Sequence, residues 1–343
     1  MYSFEQLMLP AWNTEIIYDE SVTMIKSNGI AEVPLLFMPQ EIISVTSADK
    51  TVQYEEGKDW EISGNRFRLT EQSRIFAFEE NEIVFDEEKP GVCFATTDGR
   101  YSLFHEGHFF HDRQIAITYK KGKEKLDFAP EFCEKGLHKS IAKLQHGQPV
   151  RIVLYGDSIA AGANSSGMTL TTPFLPKWGD LFAENLRRHY HSYIQLINTS
   201  VGGTNSYWGI ENAKKLVGDY SPDLAILAFG MNDQVEPYKF VENIGNIRDI
   251  VLKSSPETEF VICATTIPNK RLRDFYRYQS EYREVLETLK NEKTVIADFC
   301  GMQRCLLERK RFIDLTGNNV NHPNDFMIRC HAQLLSAMMI AEV

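Results

Sequence analysis

The chain has 343 residues, 43% of them hydrophobic, which is ample for a packed core and more than one ordinary domain needs. Its 37 Lys and Arg stand against 47 Asp and Glu, a formal net charge of −10. That balance argues against nucleic acid or an anionic membrane as partner, because both require a basic face.

The first 120 residues read as β-rich. Short apolar runs at Val33–Met38, Glu41–Val45, Arg66–Leu69, Ile75–Phe78 and Gln114–Tyr119 are separated by turn signals such as Ser63-Gly64-Asn65, Lys89-Pro90-Gly91 and Asp98-Gly99. Many short strands at this spacing predict an all-β sandwich or jelly-roll-like domain over residues 1–120. Residues 121–149 are Lys-rich with scattered glycines and read as a connector. Leu137, Ile141 and Leu144 within it recur at helical spacing and predict a short docking helix.

From residue 150 onward the rhythm changes. Val150–Tyr155, Gln195–Val201, Leu224–Phe229, Phe260–Thr265 and Thr294–Phe299 are apolar runs suited to buried parallel strands. Helical stripes lie between or after them: Trp178/Leu181/Phe182/Leu186, then Phe240/Ile244/Ile247/Val251. A third runs over Phe275, Tyr278, Tyr282, Val285, Leu286 and Leu289, and a last one from Phe326 to Ala341. The alternation predicts an α/β domain with a parallel sheet over residues 150–343. The charge divides at the same place. Residues 1–150 hold 16 Lys/Arg and 25 Asp/Glu, and residues 151–343 hold 21 and 22. The net charges are −9 and −1, so the acidity belongs to the β-rich part.

In parallel sheets chemistry gathers at the carboxyl ends of the strands. Four short blocks fall there: Gly156-Asp157-Ser158-Ile159, Gly202-Gly203, Gly230-Met231-Asn232-Asp233, and His322-Pro323 before the last helix. Singly, each has a plain structural reading as turn or cap. Together, in this order, they resemble the SGNH, or GDSL-like, hydrolase superfamily over roughly residues 150–343. The resemblance implies a flavodoxin-like three-layer domain and a serine esterase mechanism. Ser158 would be the nucleophile and His322 the general base. The backbone N–H groups of Ser158 and Gly203 and the side-chain amide of Asn232 would form an oxyanion hole.

One position departs from the pattern. The superfamily usually carries Asp three residues before the histidine, where this chain has Asn319. Asn319 itself, Asp314 and Asp325 are the candidate orienters of His322, beside a Ser–His dyad whose imidazole is held by a backbone carbonyl. Asp325 also has a helix-capping reading: with Pro323 at the first helical position it would fall at N3, with His322 as N-cap. His105, His108 and His111 have a loose metal-like spacing but read better as solvated loop residues, and His331 as a packing or surface residue. No metal and no cofactor are called for. The six cysteines lack C-x-x-C spacing and read as buried thiols. The N-terminus lacks the basic segment and apolar core of a signal peptide, so a cytoplasmic location is expected.

A β-rich module before such a domain is similar in layout to two-domain carbohydrate esterases. This implies removal of small O-acyl groups, acetyl first, from a carbohydrate or similar polar alcohol. An oligosaccharide or small-molecule ester would be the partner, with Trp208 as a candidate stacking platform. A thioesterase or lysophospholipase, and a carbohydrate-binding protein without catalysis, are the alternatives.

Overall fold

The computed structural model describes residues 2–341. Its centre is a five-stranded parallel sheet. Val150–Gly156 lies between Ile194–Asn198 and Leu224–Ala228, and Glu259–Cys263 and Thr294–Ala297 follow outward. Numbered along the chain the strand order is 2-1-3-4-5, the flavodoxin-like order whose crevice opens beside the first strand. Alternation along that strand explains its burial on both faces. Ile152 and Leu154 enter one apolar cluster with Trp178, Phe182 and Phe299; Val153 and Tyr155 enter the other with Phe229, Phe240 and Ile247.

Helices Trp178–Tyr190, Ser206–Leu216, Pro237–Ser254, Phe299–Leu307 and Asp325–Met339 cover the sheet. The predicted stripe over residues 275–289 is not one helix: only Tyr282–Leu286 is α-helical, followed by a 3₁₀ turn. The Gln279 side chain explains the break. Its amide donates to the carbonyls of Phe275 and Met231 and accepts from the Arg277 N–H, so it takes backbone partners that a helix ladder would need.

The N-terminal region is β-rich. An antiparallel three-stranded sheet sets Gln114–Lys121 between Ile16–Thr23 and Pro39–Ser47. Two further sheets of short strands, one five-stranded and one three-stranded, complete it. Residues 35–38 and 75–77, expected as strand, lie outside any strand, although Arg66–Leu69 pairs as expected. The helix His138–Gln145 buries Ile141 and Leu144 against the parallel-sheet side.

Core and polar contacts both cross between the two regions. Ile17, Val22 and Ile117 belong to the same apolar cluster as Leu154 and Phe326. Asp314 is fully buried, pairs with Arg311 and accepts the Thr23 N–H at 2.8 Å. Burial raises its carboxyl, but the Arg311 and Lys310 charges outweigh that and hold it below the usual carboxylate range.

Candidate active site

Ser158 stands at the carboxyl end of the first parallel strand, half-buried, as the first residue of a one-turn helix capped by Asp157. Gly156 is required there for space: a methyl on it would sit 2.1 Å from the Ala228 carbonyl oxygen. Asp157 is fully buried, and its carboxylate accepts the N–H groups of Ile159 (2.9 Å) and Met231 (3.3 Å). Burial pushes its pKa up to about 7 despite those bonds.

The two neighbouring strand ends close around the serine. The turn Val201–Thr204 is tied by Val201 N–H to the Gly156 carbonyl and by the Thr204 hydroxyl to the Val201 carbonyl. Gly203 holds φ +77°, a conformation that favours glycine, and a methyl on Gly202 would lie 3.7 Å from Ser158 Cβ. Asn232 donates one amide hydrogen to the Thr204 carbonyl at 2.9 Å, fastening the third strand end to the second. Asp233 is buried and accepts the Ser206 N–H and hydroxyl, so it anchors the next helix.

His322 arrives from the loop before the last helix. Its Nε2 lies 2.9 Å from Ser158 Oγ. The loop is organised by Asn318, whose side-chain oxygen accepts the N–H groups of Val320, Asn321 and His322 at 2.9, 3.0 and 3.1 Å. Its amide donates outward, to Glu106 Oε1 at 3.1 Å. Neither Asn318 nor Glu106 carries a signal in the sequence.

The imidazole is oriented by none of the three expected residues. Asn319 adopts φ +62° and turns its buried amide into the β-rich region, donating to the Leu103 carbonyl (2.9 Å) and Ser102 Oγ (3.2 Å). A carboxylate at that position would face a carbonyl oxygen with no proton between them, a physical reason for Asn in place of Asp. Asp314 is committed to Arg311 and Thr23. Asp325 accepts the Ser166 N–H at 2.8 Å and lines a cavity of ≈ 610 Å³ with Lys50, His111 and Phe174, whose lining includes neither Ser158 nor His322. Nor is Asp325 at N3. Asn324 is the N-cap and Asp325 the first helical residue, since it is the Asn324 side chain that accepts the Met327 N–H.

The closest partner of His322 Nδ1 is Asn164 Oδ1, at 2.7 Å. Asn164 Nδ2 donates to the carbonyls of Gly107 (2.8 Å) and Gly317 (3.3 Å), which fixes the amide with its oxygen toward the ring. An oxygen there can only accept, so Nδ1 carries the proton and Nε2 turns its lone pair to the Ser158 hydroxyl. Glu106 Oε2 stands 3.3 Å from the same Nδ1. Burial raises the Glu106 carboxyl, but the His322 and Asn318 contacts outweigh it and hold it below its usual value.

The other candidates have partners of their own. Trp208 is half-buried, with its ring 5.7 Å from that of Tyr155, and packs against the cluster that holds Phe229 and Phe240. His105 stacks on Phe109, His108 pairs with Asp112, and His111, expected as solvated, is buried with Nε2 at the Thr172 carbonyl. Among the described residues no group of three His, Cys, Asp or Glu side chains is placed to hold a metal ion. All six cysteines are free thiols, four of them buried.

Among solved structures, similarity is found to a two-domain esterase active on acetylated mannans, co-crystallised with mannopentaose. The identity is 20% and the TM-score 0.48, over 60% of this chain and 53% of that one. The chain therefore spans about half the length of that esterase. An acetylxylan esterase from Geobacillus stearothermophilus is similar at 13% identity and a TM-score of 0.43, over 55% of this chain and 91% of that one. No curated protein sequence matches. The GDSL-like lipase/acylhydrolase family matches residues 154–326, half of the chain. That span runs from the strand that carries Ser158 into the helix that follows His322, and the chain belongs to the GDSL-like lipase/acylhydrolase family.

Proposed function

We propose that the protein is a serine ester hydrolase that removes small acyl groups, acetyl first, from a carbohydrate or similar polar alcohol. The observation that carries this reading is the 2.9 Å contact of Ser158 Oγ with an imidazole whose other nitrogen is held by Asn164. Ser158 Oγ attacks the acyl carbonyl carbon while His322 Nε2 takes its proton. The oxyanion that forms is met by the N–H groups of Ser158 and Gly203 and the second amide hydrogen of Asn232. His322 then returns the proton to the leaving alcohol oxygen as the C–O bond breaks. A water activated by the same imidazole hydrolyses the acyl-serine and regenerates the hydroxyl.

Two features favour a neutral, polar substrate. The Glu106 carboxylate stands beside the imidazole, and the region it comes from carries a net charge of −9 over residues 1–150, so an acidic ester would be repelled. One observation favours a second reading, a longer acyl group. The loop after Ser158 exposes Met168, Phe174 and Leu170, the last at 82%.

The test is hydrolysis of chromogenic acetyl, butyryl and octanoyl esters by the wild type and Ser158→Ala side by side. Acetyl hydrolysis that falls at least about 10³-fold in the variant is expected. Activity surviving Ser158→Ala overturns the serine mechanism. A preference for octanoyl keeps the mechanism and replaces the deacetylase reading with the second.

A further inference from the structure

We infer that Glu106, from the β-rich region, is a positioning residue that supplies the negative charge behind His322. The charge that a triad carboxylate normally contributes from the catalytic domain would thus come from outside the parallel-sheet domain. The inference rests on the reading of Ser158 and His322 as nucleophile and base.

The geometry has three parts. First, Glu106 Oε2 and Asn164 Oδ1 share the Nδ1 side of the imidazole, at 3.3 and 2.7 Å. The shorter contact is to the neutral amide, so Asn164 sets the tautomer. An amide cannot stabilise an imidazolium by charge, and Glu106 can. Second, the carboxylate is held from both ends of the site. Asn318 donates to its other oxygen, Oε1, at 3.1 Å while also receiving the His322 N–H, so one side chain spaces the acid and the base. Third, the loop bearing Glu106 is braced. Gly107 gives its carbonyl to Asn164, and His105 stacks on Phe109 at 3.9 Å. Arg113 covers Phe109 and donates to its carbonyl. A charge placed by such a scaffold meets the ring without reorganising.

The titratable groups that face His322 are Glu106, from the loop after strand Tyr101–Leu103, and Asp157, from the end of strand Val150–Gly156. Ser158, Asn164, Asn318, Thr316 and Gly317 are its uncharged hydrogen-bond partners. Asp157 is common to the wild type and every Glu106 variant, so a difference between their pH profiles isolates Glu106. Its side chain is 51% exposed, which screens its field and sets a modest expected effect.

The experiment compares pH profiles of kcat and kcat/KM for acetyl ester hydrolysis in wild type, Glu106→Gln, Glu106→Asp and Ser158→Ala. Glu106→Gln keeps size and polarity and removes the charge. Its kcat is expected to fall about 10-fold with KM little changed. The acid limb of the kcat profile should move to lower pH, because removing a carboxylate from beside an imidazolium favours loss of its proton. Glu106→Asp retains the charge one methylene further away, and should keep the acid limb in place and recover most of the rate. Glu106→Gln within twofold of wild type, with its acid limb unmoved, overturns the inference. Equal losses in Gln and Asp with neither limb moved also overturn it, since they mark a purely structural role. In both cases an inactive Ser158→Ala leaves the esterase reading standing, whereas an active one removes that reading by itself.

Discussion

At the scale of single residues, the site depends on a position that has no polar atom in its side chain. A methyl on Gly317 would lie 2.7 Å from Asn164 Cβ and 3.4 Å from the Pro323 carbonyl oxygen. Asn164 cannot retreat, because it is buried and its amide is tied to two carbonyls, one of them that of Gly317 itself. Gly317→Ala is therefore expected to push Asn164 off the imidazole. On the proposed mechanism kcat should drop roughly 10- to 100-fold with KM little changed, at a stability cost of about 1–3 kcal/mol from overpacking. Steady-state kinetics with a urea titration checks both, and an unchanged kcat would show that Asn164 does not hold the ring. These residues also mark where reading the sequence stops. Gly156, Ser158, Gly203, Asn232 and His322 sit at strand ends or before a helix, where local pattern is enough to mark them as candidates. Glu106 lies 216 residues from His322 and Asn164 lies 158 away, and no periodicity links either to the ring. Asn319 was the more misleading for being local: its spacing fits the orienter, but a left-handed turn aims its side chain the other way.

At the scale of elements, periodicity reports burial more faithfully than it reports continuity. The stripe over residues 275–289 does bury Tyr282 and Leu286, yet the chain there turns around Gln279 and does not coil through. The last helix, Asp325–Met339, keeps its expected course and is buried along nearly its whole length. That leaves His331 fully buried, its ring stacked on Phe299 at 4.2 Å, and both ring nitrogens without a hydrogen-bond partner. Burial pushes its pKa down to about 3. A depressed imidazole binds fewer protons folded than unfolded, so the stability it allows is full above about pH 6.5 and is lost as pH falls toward 3. His331→Phe keeps the stack and removes two unsatisfied atoms. The variant should equal or exceed the wild type at pH 7, by up to about 1 kcal/mol. Its advantage should then widen by about 1.4 kcal/mol per pH unit on acidification through that window. Urea midpoints of the two proteins at pH 7, 6, 5 and 4 measure the difference, and a pH-independent gap would contradict a neutral buried imidazole.

At the scale of the whole molecule, the question is whether the β-rich and parallel-sheet regions are separable, as the change of composition near residue 150 suggests. Composition tracks surface, and the contact between the regions is interior. Lys310, just after helix Phe299–Leu307, pairs at 2.5 Å with Glu20 in strand Ile16–Thr23, and both side chains are fully buried. Glu20 also accepts the Tyr119 hydroxyl at 2.6 Å and the Leu36 N–H at 3.0 Å. An ion pair so enclosed adds little net stability over an apolar pair, but breaking one side of it leaves a charge with nowhere to go. Glu20→Gln can still accept the Tyr119 hydroxyl, yet it strands the Lys310 ammonium, and a loss of about 3–5 kcal/mol is expected. Glu20→Gln with Lys310→Met should recover most of that loss, because no buried charge remains. The shared apolar cluster adds a second expectation: each variant unfolds in one transition, coincident by fluorescence and circular dichroism. A loss under about 1 kcal/mol for Glu20→Gln, or two resolved transitions, would mean the regions are held apart. A single transition with the full loss would mean that the two regions fold as one unit, to which the chain around Glu106 is joined by a smaller cluster in which Leu103 and Phe110 pack with Ile313.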